Sequence, residues 1–128
     1  MRLLLDTHVL LWWIGDDPRI GLQNRSLLRD RGNQILVSVV SLWELALKAQ
    51  VGKLVTNTKE VSEGLEQDGF IRLAIADSHL VALTSLPRHH KDPFDHLLIA
   101  QAIAENATLM SEDRWMPTYP FPVVSCSA

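Results

Sequence analysis

Four carboxylates stand in apolar or cap-like surroundings along the chain: Asp6, Glu44, Asp95 and Asp113. Asp6 ends the run Leu3-Leu4-Leu5, and Asp95 ends Asp92-Pro93-Phe94-Asp95 just ahead of Leu97-Leu98-Ile99-Ala100. Glu44 completes Ser41-Leu42-Trp43-Glu44, and Asp113 completes Ser111-Glu112-Asp113. An ionised acid among apolar neighbours is costly unless something offsets its desolvation. Four carboxylates drawn close together cannot all stay ionised without a cation. An all-oxygen donor set selects a hard divalent ion, Mg²⁺ or Mn²⁺. Such a centre activates water and neutralises charge on a phosphodiester, through one ion or a pair.

Each acid also has a plainer reading. Asp92 suits a helix N-cap, with Pro93 in the first turn where its missing N–H is no loss. Glu44 shares a helical face with Ser41 and Lys48, as in a capping box followed by an i,i+4 ion pair. Asp113 fits an acid at a helix start. Asp6 would cap the element that follows it. For Asp95 the cap explains the charge but not the direction. At about 100° per residue it falls within an arc of Leu98, Ile99, Ala102 and Ile103.

The elements that must position these acids alternate in type, which favours an α/β fold. Leu3–Leu5 reads as a short strand ending at Asp6, followed by helices over Thr7–Ile14 and Pro18–Asp30. Ile35–Val40 is the clearest strand, apolar on both faces as a covered parallel strand is. Helices are expected over Ser41–Gln50, Lys59–Gln67 and Asp77–Leu86, with a strand at Phe70–Ala74 between the last two. The Asp-Pro helix comes next, then a strand at Thr108–Met110 and an edge strand at Val123–Val124. Asp6, Glu44 and Asp113 then lie at or beyond the C-terminal ends of parallel strands, the edge where open α/β sheets bind ligands. Asp95, at a helix head, can join them there.

Composition narrows the class. The 128 residues fit one domain of ordinary size, and 47% of them are hydrophobic, enough for a core. No apolar run approaches the ~20 residues of a membrane span, and no secretory signal pattern opens the chain. The single cysteine, Cys126, excludes an internal disulfide framework and a Cys-based zinc cluster. A cytoplasmic protein is expected. The net charge of −3 is not that of a protein coating nucleic acid by bulk attraction. Local cations still suit phosphates, with Lys48, Arg88, Lys91 and Arg114 as candidates. The five histidines lack zinc spacing, and neither a phosphate-cradling Gly-rich loop nor a nucleophile elbow occurs. Trp12, Trp13 and Trp43 are expected in the core.

The ordered motifs resemble those of PIN-domain proteins. They are Leu-Leu-Leu-Asp6-Thr7-His8, Ser38-Val-Val-Ser41-Leu-Trp43-Glu44, Gly52-Lys53-Leu54, His90-Lys91-Asp92-Pro93-Phe94-Asp95 and Ser111-Glu112-Asp113. The pattern looks like the VapC-type toxins of bacterial toxin–antitoxin pairs, and it runs nearly end to end. The resemblance implies one PIN-like domain over 1–128, a three-layer α/β/α sandwich with a mainly parallel sheet. It implies Mg²⁺-dependent endoribonuclease activity on RNA, homodimers and inhibition by a cognate antitoxin protein. The family's metal-binding and catalytic quartet falls on Asp6, Glu44, Asp95 and Asp113, and Asp92 belongs to the motif but not to the quartet; we expect Asp6 and Asp95 to be the direct ligands. Ser111 stands where Thr is usual in the family, and His96 where Arg is common. Two other readings remain at this stage. One is an inactive PIN-like binding module, and the other a phosphatase using Asp6 as nucleophile.

Overall fold

A computed structural model gives the fold and describes residues 1–87, 92–112 and 122–127. Five strands form one sheet: β1 (Arg2–Leu5), β2 (Gln34–Ser38), β3 (Ile71–Leu73), β4 (Thr108–Met110) and β5 (Val123–Val124). Their order is β3-β2-β1-β4-β5, and every pairing is parallel. Six helices join them: α1 (Thr7–Ile14), α2 (Leu22–Arg29), α3 (Val39–Gln50), α4 (Thr58–Gln67), α5 (Asp77–Thr84) and α6 (Pro93–Ala104).

The period-two alternation of strands divides the core into two. Leu3, Leu5, Ile35, Val37 and Met110 point to one face, where Val9, Leu10, Leu28, Leu42, Leu45 and Leu65 from α1 to α4 cover them. Leu4, Leu36 and Leu109 point to the other, against Leu98, Ile99 and Ala102 of α6. Helix α5 packs on α6 in that same layer. The result is the expected three-layer α/β/α sandwich, with β1 central and buried on both sides. That is why its Leu3, Leu4 and Leu5 are all wholly inaccessible. Among the described residues no helix is long and apolar enough to cross a membrane.

Three expectations need correction. The helix foreseen from Pro18 starts only at Leu22, because Asp17 organises a turn instead. Its carboxylate accepts the Arg19 N–H at 2.9 Å and its carbonyl the Ile20 N–H at 3.2 Å. Arg25 then ties that turn down, donating to the carbonyls of Asp17 and Ile20 and to the Asp16 carboxylate. The β2 strand stops at Ser38, whose Oγ accepts the Val40 N–H at 3.0 Å and caps α3. Ser41 is therefore an interior helical residue and not a cap. Trp43 is 54% exposed and outside the core, while Trp12 and Trp13 are half-buried against the first core cluster.

Cys126 is wholly buried in the first cluster. Burial, reinforced by the nearby Glu112 carboxylate, pushes its thiol pKa up to about 12. The thiolate is the reactive form. Native protein at pH 8 should therefore resist a thiol-specific disulfide reagent for hours and react within minutes in denaturant, as followed by release of the chromophore. Rapid native labelling would contradict this burial. The sign for stability follows: the unfolded thiol ionises first, so stability falls as pH rises above about 8.5.

Candidate active site at the carboxyl edge of the sheet

Asp6 is the first residue beyond β1 and is 3% exposed. Its backbone N–H donates to the Met110 carbonyl at 3.1 Å, which seals β1 to the end of β4. Oδ1 accepts the Val9 N–H at 2.8 Å as the N-cap of α1, and Oδ2 accepts the Ser111 hydroxyl. The capping role is real, and it fixes the carboxylate at the sheet's edge. Next to it, Thr7 Oγ1 donates to Ser41 Oγ at 3.1 Å, a buried bond joining the starts of α1 and α3.

One turn along α3 from Ser41 comes Glu44, nearly buried. Its Oε2 pairs with Lys48 Nζ at 3.3 Å, the i,i+4 contact foreseen from spacing. Its Oε1 is buried with no hydrogen-bond partner among the described residues. A buried, unpaired carboxylate oxygen costs about 1–3 kcal/mol or more. Such an atom is expected where a cation is to be received.

Helix α6 faces this edge from the other layer. Asp92 caps it, its Oδ1 accepting the Phe94 N–H at 2.9 Å and the Asp95 N–H at 3.3 Å. Asp95, in the first turn, is partly buried and engaged by its surroundings. Within the arc assigned to it, Leu98, Ile99 and Ala102 are wholly buried, but Ile103 is 39% exposed because the helix turns it outward near its end. Glu44 and Asp92 line one groove, so α3 and α6 bring their acids to the same side of the fold. Asp113, Arg88, Lys91 and Arg114 lie outside the described residues. Among the described residues, no three His, Cys, Asp or Glu side chains stand as a ready-made cation cage. The available donors are nevertheless all hard oxygens, and Glu44 Oε1 is a buried acceptor with no hydrogen-bond partner among the described residues. These residues fit Mg²⁺ or Mn²⁺ far better than a softer metal.

Sequence reasoning missed a buried polar chain behind this edge. Ser38 Oγ donates to Gln101 Oε1 at 2.5 Å, and Gln101 Nε2 lies 3.3 Å from His79 Nδ1. His79 Nε2 lies 2.9 Å from Glu105 Oε2, and Arg2 completes the chain on Glu105. The His79 contact, more than any other, holds the Glu105 carboxyl below its usual pKa. The available signal was Gln101, a long polar side chain inside the apolar run Leu97–Ala104. Glu112 was missed as well. Burial tends to raise its pKa, but Ser125 Oγ and the Cys126 and Ser127 amides outweigh that by donating to it and lower it. It thereby moors the C-terminal segment.

The orphaned oxygen yields a direct expectation. Glu44→Gln removes a poorly solvated charge and an ion pair worth a few tenths of a kcal/mol. Stability without metal should therefore hold or rise by about 1 kcal/mol. Added Mg²⁺ should raise the melting temperature of the wild type and not of the variant, since a ligand binding only the native state stabilises it. Equal shifts in both, read by calorimetry, would remove Glu44 from the cation site.

Comparisons agree with this architecture. The chain is 25% identical over 125 residues to Ribonuclease VapC22 of Mycobacterium tuberculosis (strain ATCC 25618 / H37Rv), covering 93% of this chain and 92% of that protein. In structure it resembles VapBC2 from Rickettsia felis, bound to a promoter DNA fragment, with a TM-score of 0.75 and 21% identity. It also resembles DNA-bound VapBC from Salmonella typhimurium, with a TM-score of 0.76 and 18% identity. Each likeness covers 98% of both chains. The PIN domain family matches residues 3–121, and with its parallel sheet and acid-bearing edge this chain belongs to that family.

Proposed function

We propose that this chain is a divalent-metal-dependent endoribonuclease, the VapC-type toxin of a toxin–antitoxin pair. The observation that carries the reading is the buried, unpartnered Glu44 Oε1 beside the acid-bearing edge of a PIN domain. The likeness to a named VapC ribonuclease over nearly the whole chain supports the same activity.

Asp6, Glu44, Asp95 and Asp113 would hold Mg²⁺, with Mn²⁺ as a substitute. Bound there, the ion supplies charge neutralisation at the scissile phosphate and acidifies water for attack. The protein's own part is positional. Val9 N–H and the Ser111 hydroxyl orient the Asp6 carboxylate, and the Asp92 cap fixes the first turn of α6 that carries Asp95. Lys48, one turn beyond Glu44, keeps a positive charge near the site for a phosphate.

The partners proposed are RNA as substrate, an antitoxin protein as inhibitor, as the VapBC names of the structural relatives suggest, and a second copy in a homodimer. The deciding experiment uses purified protein and single-stranded RNA, with cut ends mapped by sequencing. Cleavage should vanish in EDTA and return with Mg²⁺ or Mn²⁺. Full cleavage in EDTA would defeat the metal mechanism. No cleavage and no heat of Mg²⁺ binding would favour a binding module instead.

A further inference from the structure

Beside Glu44 and Asp92, α3 and the start of α6 border a wide, open groove of about 730 Å³. Leu47 and Val51 form one wall, and Pro93 and Phe94 the other. Glu44, one of the four proposed site acids, and the α6 cap Asp92 stand on its lining, so the groove shares Glu44 with the proposed catalytic edge. Phe94 does not hang freely. Its ring meets Trp43 edge-on, with centroids 4.9 Å apart and planes at 67°.

The rim carries Lys48 and Lys53, and the chain is bent to put both there. Helix α3 ends with the Gly52 N–H donating to the Ala49 carbonyl at 3.2 Å and the Lys53 N–H to the Lys48 carbonyl at 2.9 Å. Gly52 has φ 77°, the left-handed conformation this helix-ending motif requires. The reversal turns Lys53 back toward the groove. The two lysines thus stand on either side of a helix end, Lys48 paired with Glu44 and Lys53 in no ion pair among the described residues.

We infer that this groove is a subsite for one nucleotide of single-stranded RNA next to the scissile phosphate, its base packed against Phe94 and its phosphate met by Lys53. The inference rests on the ribonuclease reading and extends it from the acids to the bound strand. Three features select RNA as occupant: Lys53 on the lining for a phosphate, the Phe94 ring in one wall for a base, and Glu44 shared with the acid edge. Single-stranded nucleic acid is held by that combination, a basic track with bases stacked on aromatic rings.

The test has two arms. In EDTA, wild-type protein is irradiated with a mixed-sequence RNA carrying 5-iodouridine, and crosslinked peptides are identified by mass spectrometry. Crosslinks are expected at Phe94 or Trp43. In Mg²⁺, Phe94→Ala should lower kcat/KM on the order of 10-fold, within what one stacked base contributes. It should also flatten the nucleotide preference at one position flanking the cut. The milder Phe94→Leu keeps the core contact and should show the same flattening. Lys53→Ala should raise KM with kcat held, and lower the slope of log affinity against log salt by about 0.7, as for one lost phosphate contact on a single strand.

Wild-type cleavage with crosslinks only elsewhere, and an unchanged preference in both Phe94 variants, would overturn the subsite and leave the ribonuclease reading intact. A Phe94 variant that turns a dimer into a monomer while keeping the preference would assign the groove to a second copy, and would equally overturn it. Absence of wild-type cleavage would defeat the ribonuclease reading itself.

Discussion

Asp6→Asn should reduce divalent-dependent RNA cleavage by about 100-fold or more, the scale on which even outer-shell partners of a bound metal act. The choice of asparagine matters. Asp6 carries the Val9 cap through one oxygen and the Ser111 hydroxyl through the other. Asparagine is as good an N-cap as aspartate and keeps an oxygen for the Val9 N–H. Its amide can donate to Ser111, whose hydroxyl reverses its role. The variant therefore loses a charge and little structure, and its unfolding free energy should stay within about 1 kcal/mol of wild type. Asp6→Ala would lose the cap, about 1 kcal/mol, and the buried bond to the Ser111 hydroxyl as well, so its inactivity would be ambiguous. Urea titration beside a cleavage assay separates the two. An Asp6→Asn protein that cleaves at the wild-type rate removes Asp6 from the chemistry.

The largest effect on stability is expected at Leu98. It is wholly buried on α6, among Leu4, Leu36, Ile99 and Leu109. Leu98→Ala removes apolar contact and leaves a cavity that rigid sheet neighbours cannot fill. Such changes cost about 3–4 kcal/mol in well-packed sites. Against a total of about 5–15 kcal/mol for a domain, that is a large fraction. The urea midpoint should fall with the slope unchanged. A loss below about 1 kcal/mol would mean that the α6 layer can collapse around the gap.

How much of this was legible beforehand depended on range along the chain. The Asp92 cap and the start of α6 were readable because proline and the cap residue act within three positions. The strand at Thr108–Met110 was readable because both faces are covered and polar residues flank it. The start of α3 was misplaced because Ser38 and Ser41 are both capable caps and Val39-Val40 carries strand propensity. Ser38 takes the cap on the Val40 N–H, and Ser41 is instead engaged by Thr7, 34 residues away. Trp43 was misjudged because a ring's size does not tell which way its helix face turns. The place of Asp6 at the end of a strand was legible from its position after three leucines. Its pairing with Ser111, 105 residues distant, was not foreseen. The Gln101 to His79 contact joins two helices whose packing angle no local pattern encodes.

That last contact bears on how α6 keeps its place. From Leu98 to Ala102 five successive residues are buried, so the helix is greasy around most of its girth. A smooth apolar rod between a sheet and another helix has several nearly equivalent seatings, displaced by a residue or rotated by one. Gln101 removes that freedom, because only one seating lets it meet Ser38 on the sheet side and His79 on the helix side at once. It works as a keyway cut into an otherwise featureless shaft. Asp95, six residues nearer the N-terminus on the same rigid helix, inherits the setting. The position of that residue at the head of the helix is thus gauged almost two helical turns away, by Gln101.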